Sequence, residues 1–205
     1  MEEYKSVNLV ELCGVPIARP IFSHVSRMEK FYQFPMEIQR LSGAMDRINI
    51  VSREDLMMAL DVPGGPKLKV AGELRSYNNK SGAGSRLVIT VFAQEMYYDD
   101  GNDENKVSLL GTICKAPTLR ATPMGREICD LMVAVNRRYG RSDYLPCITW
   151  GLKAKEAALW DVGTVISLSG RIQSRNYIKS IDGEPVEKTA FEVSVMEAST
   201  YSDPE

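Results

Sequence analysis

Alternating apolar and polar positions mark five strands in the C-terminal half of this chain. Val107–Ile113 reads as a first strand, and Ile128–Asn136, with Leu131, Val133 and Val135 on one parity, as a second. Tyr144–Trp150 is a third, Val165–Tyr177 a long fourth and Thr189–Met196 a fifth. The Gly-containing run Asn136-Arg-Arg-Tyr-Gly-Arg-Ser-Asp143 connects the second and third as a hairpin. Between the third and fourth, Lys153–Trp160 is built of good helix formers and stops before Gly163.

The N-terminal half repeats this pattern. A shift of 97 aligns Asn8–Ser52 with Asn105–Thr149 without a gap. The identical pairs include Asn8/Asn105, Val10/Val107, Leu12/Leu109, Gly14/Gly111, Pro20/Pro117, Arg40/Arg137, Gly43/Gly140 and Asp46/Asp143. One inserted residue later, Gly72/Gly170, Ser76/Ser174 and Asn78/Asn176 align. Six further residues bring Leu87, Ile89 and Val91 onto Phe191, Val193 and Val195. In the first copy, Ser52-Arg-Glu-Asp is expected to cap a helix over Asp55–Asp61, and Pro63-Gly-Gly-Pro66 to turn the chain into Lys67. Three strands, a helix and two strands is the order of an OB barrel. The expected class is all-β: two tandem five-stranded OB-fold Greek-key barrels, each with a short helix between strands 3 and 4. The expected domains are 1–96 and 105–205, joined by an acidic, solvated linker over 97–104.

Charge changes the picture more than composition does. The formal net charge is −2, but Asn105–Ser180 carries 12 Lys/Arg against 5 Asp/Glu, whereas Asn8–Met96 carries 11 against 9. Acidic segments flank the basic region, and phosphate binding responds to local potential. The 44% apolar fraction suits packed cores. Cys13, Cys114, Cys129 and Cys147 sit among apolar neighbours without CxxC spacing, and His24 is the only histidine. They read as core thiols, with no metal or other cofactor expected. No nucleophile–base pair or phosphate loop is evident, so no enzymatic activity and no small-molecule substrate are expected. Without a signal sequence or a spanning apolar run, the expected location is the cytoplasm, with no membrane partner.

Candidate chemistry converges on the second copy. On the fourth strand Ile166, Leu168, Gly170 and Ile172 share the core parity, which leaves Arg171, Gln173, Arg175 and Tyr177 on the other face. Tyr144 and Trp150 share a parity on the third strand, and the hairpin adds Arg137, Arg138, Tyr139 and Arg141. Rings that stack on unpaired bases, beside Arg groups that track phosphates, suit a single-stranded nucleic acid. Packing competes with stacking for Trp150, which precedes Gly151, and Trp160 reads as helix packing. Phe31, Tyr32 and Phe34 read mainly as core.

Val133-Ala-Val-Asn-Arg-Arg-Tyr139, Asp143-Tyr-Leu-Pro-Cys-Ile-Thr-Trp-Gly151 and Ser169-Gly-Arg-Ile-Gln-Ser-Arg-Asn-Tyr177 resemble the bacterial single-stranded DNA-binding protein family. The resemblance covers Asn105 to about Ala198. It implies stacking by Tyr139, Tyr144, Trp150 and Tyr177, phosphate contacts from neighbouring Arg and Lys, and a role protecting single-stranded DNA in replication, recombination or repair. Four barrels per assembly is common in that family, so a homodimer is implied. The first copy departs from the pattern: Ser42 stands for Tyr139, Arg47 for Tyr144, Asn79 for Tyr177 and Glu73 for Arg171, with Tyr77 nearby. Its expected role is pairing or scaffolding. The sequence finishes soon after Glu197 without the family's acidic tail, which suggests an accessory member. The alternative is a primosome-type OB module acting mainly through protein–protein contacts.

Overall fold

A computed structural model of the protein describes residues 7–57, 65–79, 87–137, 140–181 and 184–202. Its elements are β1 (Val7–Pro16), β2 (Ile21–Ser26), β3 (Glu29–Gln39), β4 (Met45–Arg53), α1 (Glu54–Met57), β5 (Leu68–Asn78) and β6 (Leu87–Tyr98), followed by β7 (Glu104–Ala121), β8 (Glu127–Asn136), β9 (Ser142–Trp150), α2 (Leu152–Ala157), β10 (Val165–Ile181) and β11 (Glu184–Thr200). The five strands and the helix of the second copy lie where alternation puts them, with longer strands at most ends and α2 shorter than expected.

The pairings of each copy form a closed cycle. In the first, β1 pairs antiparallel with β5, and β5 with β6. β6 runs parallel to β4, β4 pairs antiparallel with β3, and β3 returns to β1 at Val15↔Glu37 and Pro16↔Met36. In the second, β7 pairs with β8, β8 with β9, β9 runs parallel to β11, and β11 neighbours β10. β10 closes the cycle on β7 from Val165↔Thr112 to Gly170↔Val107. Leu12, Phe34, Met36, Ile38, Ile48, Ile50, Leu68 and Leu74 fill the first interior, and Leu109, Ile113, Ile128, Val133, Leu145 and Ile166 the second. Each such side chain contributes about 1.5–3 kcal/mol by leaving water.

Closure explains two of the repeated glycine pairs. A Cβ at Gly14 would overlap the Glu37 carbonyl, and one at Gly111 would press on the Ala134 carbonyl. At Gly72 it would overlap the carbonyl of Phe92, and at Gly170 that of Ser194. Only a residue without a side chain lets the backbones cross there.

These contacts also correct the sequence alignment. Ile50 and Cys147 correspond, and their parallel partners are Val91 and Val193. Phe92 therefore matches Ser194, so the second copy gains four residues before its last strand, not six. A slip of two residues preserves strand parity, which is why alternation alone does not detect it.

Several local expectations change. Ser52 does not cap a helix: it is fully buried at the end of β4, with its hydroxyl directed to the Arg53 carbonyl at 3.4 Å. Inside α1, Asp55 Oδ1 accepts from the adjacent Leu56 N–H at 3.1 Å. Residues 58–64, which include the rest of the expected helix and the first half of the Pro-Gly-Gly-Pro turn, lie outside the described residues. The first copy has an additional strand, β2, where the second has the continuous β7. β7 continues past Ile113 through two register shifts, the second of which, between Lys115 and Thr118, spans Pro117, where ladder pairing is interrupted. Cys13, Cys129 and Cys147 are buried and Cys114 is half-buried, and burial pushes all four thiols up.

The chain divides into two compact units. One contains Val107–Ile172 and Phe191–Glu205 with the first eight residues; the other contains Leu9–Lys106 and Gln173–Ala190. The distal half of the β10–β11 hairpin thus belongs to the unit of the first copy. Within that unit, ion pairs and hydrogen bonds tie the acidic segment to β5 and its approach. Lys67 Nζ reaches Asp103 at 2.7 Å and donates to the Gly101 carbonyl at 3.0 Å, while Lys69 pairs with Glu104. Burial works against the Asp103 carboxylate, but Lys67 and the Gln39 amide outweigh it and hold its pKa below the usual range.

Gly72→Ala or Gly170→Ala is expected to lower stability by about 1–3 kcal/mol through overpacking. Urea denaturation followed by circular dichroism measures this, and an unchanged midpoint would mean that the crossings tolerate a methyl group.

Candidate nucleic-acid interface

The outer face of the second copy is set by β8 and β9. Leu145, Cys147 and Thr149 point inward, so Tyr144 and Trp150 point outward, 50% and 36% exposed. Six residues separate them, about 20 Å along a strand. Between them lie half-buried Pro146, Met132 and Ala134 and the buried side chain of Ile148. The face is a shallow apolar strip with a ring at each end. Trp150 Nε1 donates to Ser194 Oγ at 3.1 Å, which fixes the indole while leaving part of its surface open. Packing and exposure therefore coexist at this residue.

Basic groups border the strip. Lys115 is exposed beside Met132. Arg120 pairs with Asp130 at 2.5 and 3.0 Å, and this bond raises the guanidinium pKa. Both lie on the continuation of β7 that the sequence reading ended at Ile113. A strand carried through Pro117 was the signal that could have found them.

Arg137 has a different situation from the one expected. Its Nε donates to Asp143 Oδ2 at 2.5 Å and its Nη2 to Oδ1, forming a fork on a carboxylate with no exposed surface. Arg40 and Asp46 repeat the arrangement in the first copy, and there the bond raises the Arg40 pKa. Such a pair, identical in both copies, is a structural lock for the hairpin between the second and third strands of each barrel. Arg141, at the base of that hairpin, is exposed, and its carbonyl accepts the Arg137 amide at 2.6 Å. Arg138 and Tyr139 lie outside the described residues.

On β10, Ile166, Leu168, Gly170 and Ile172 are buried as alternation requires. The other parity is less uniform than expected. Arg171 is half-buried with its Nε unpartnered, Gln173 is buried at 8% exposure, and Arg175 is exposed. The backbone of Tyr177 continues β10, and its ring lies outside the described side chains.

The first copy presents other chemistry. Phe31 and Phe34 are buried, as the core reading expected, while Tyr32 is half-buried. Tyr32 donates its hydroxyl to Glu54 at 3.0 Å, and this bond raises its pKa. His24 stacks on Phe31 at 4.8 Å, and Arg75 lies over Phe92 at 5.7 Å while pairing with Glu73. Arg47 and Tyr77 are exposed.

Comparison with known proteins assigns this arrangement. The sequence model of the single-strand binding protein family matches residues 104–200. Single-stranded DNA-binding protein 2 of Listeria innocua is 34% identical over 109 residues, which cover 48% of this chain and 68% of that protein. The chain belongs to the single-strand binding protein family. Single-stranded DNA-binding protein A of Bacillus subtilis is 35% identical over 80 residues, covering 36% of this chain and 46% of its own length. The similarity to these relatives thus spans part of each chain. The wild-type single-stranded DNA binding protein of Thermus aquaticus matches 98% of this chain and 96% of its own, with a TM-score of 0.78 at 19% identity. That match establishes the family's OB fold across both copies. Among the described residues, no helix is long and apolar enough to cross a membrane.

Asp143→Ala, which leaves Arg137 without its buried partner, is expected to cost about 3–5 kcal/mol of stability. Arg141→Ala should stay within about 0.5 kcal/mol of the parent. Thermal and urea melts of both variants test the division; equal losses would remove the structural role given to Arg137.

Proposed function

We propose that this protein binds and protects single-stranded DNA without catalysis, in replication, recombination or repair. The observation that carries the reading is the pair of exposed rings, Tyr144 and Trp150, on one face of β9 in a chain of this family. Bases stack on these rings. Tyr139 and Tyr177 add further stacking platforms, and Arg138, Arg141, Arg171 and Arg175, with Lys115, follow the phosphates. Arg137 serves through the lock with Asp143 more than by direct contact. The protein-bridging alternative is set aside, because the family match and the open rings favour strand binding.

The domain roles follow from the same chemistry. The second copy carries the stacking surface, and the first copy supports it. Two barrels per chain make a homodimer the natural assembly, with four barrels in all. Sedimentation should then report twice the 22.9 kDa chain mass. Cytoplasmic placement accompanies this role.

Titration with a long oligothymidylate should quench Trp fluorescence, and the affinity should fall as salt rises through counterion release. Trp150→Ala or Tyr144→Ala should each weaken binding by about 1–3 kcal/mol while the barrel stays folded. No quenching and no mobility shift at low salt would remove the reading altogether.

A further inference from the structure

We infer that Arg47 is a phosphate-binding residue that carries the single-strand path onto the first copy, beside Arg175. This rests on the single-strand reading above and adds a site to it.

The argument begins at Asp46. Its carboxylate has no exposed surface, is gripped by the Arg40 fork, and accepts a third donor: the Ser174 amide reaches Asp46 Oδ1 at 3.1 Å. The next residue closes the junction from the other side, since the Arg47 amide donates to Ser174 Oγ at 3.1 Å. Two hydrogen bonds thus fasten the distal part of β10 to the start of β4, within the compact unit that holds both segments. β6 joins β4 only further along, at Ile50 and Val51.

The junction brings the backbones of two arginines close together. Arg47 belongs to it, and Arg175 follows Ser174 directly, about 3.8 Å away between Cα atoms. Both residues are exposed. Among the described residues Arg47 forms no ion pair, whereas Arg40, Arg53, Arg75, Lys67 and Lys69 on the same copy all do. The acidic residue opposite it across the ladder, Glu37, is half-buried. An exposed guanidinium without an acidic partner, held beside a basic strand, offers a planar fork for a phosphate. Arg47 stands where the second copy has the exposed ring of Tyr144, so the first copy exchanges a stacking contact for an ionic one. The loss of stacking residues there is a change in the kind of contact.

The test uses the full chain and oligothymidylates. Arg47→Ala should weaken binding by roughly tenfold at low salt and lower the slope of log affinity against log salt by about 0.7, the value for one phosphate contact on a single strand. Arg47→Glu should weaken it further. Ser174→Ala, which loosens the junction, should shrink the effect of Arg47→Ala. Thermal melts should stay unchanged for the Arg47 variants, because the side chain is exposed. If the parent binds and both Arg47 variants match it in affinity and salt slope, Arg47 lies off the path and the inference fails while the function stands. If the parent itself does not bind, the functional reading fails first.

Discussion

Each barrel depends on bringing two strand backbones closer together than a side chain allows. Gly72 faces the Phe92 carbonyl and Gly170 the Ser194 carbonyl, and a Cβ at either position would overlap its neighbour. These crossings, between β5 and β6 and between β10 and β11, belong to the cycles of pairings that surround each interior. The β8–β9 register fixes which of their outward residues share a face. The open surface with Tyr144 and Trp150 at its ends is a consequence of that register.

A second device is polar. Arg40–Asp46 and Arg137–Asp143 place a carboxylate at zero exposure against a bidentate guanidinium. Breaking such a pair strands a buried charge, so it holds its hairpin firmly even where its net contribution to stability is small. In the first copy the same carboxylate also receives the backbone of β10. One buried acid therefore organises both the local hairpin and the strand that carries Arg175.

The copies share a scaffold and differ in surface. The second presents rings with apolar side chains between them. The first buries Phe31 and Phe34, ties Tyr32 to Glu54 and neutralises most of its basic groups with neighbouring acids. Interior and crossing residues are constrained by packing while outward ones are not, so two copies of one scaffold can carry such different surfaces.

Strand parity, the double copy, the glycine pairs and the exposed rings of β9 were legible in the sequence, since alternation and spacing are local properties. The number of residues inserted before β11 was not, because a two-residue slip leaves every inward residue inward. Nor were the partner of Arg137 and the burial of Gln173. Whether a guanidinium meets water or a buried carboxylate, and whether a polar side chain at the end of a strand is covered, depends on chain segments far away in sequence. Ser174 meets Asp46 across 128 positions, and only the folded chain brings such groups within reach of one another.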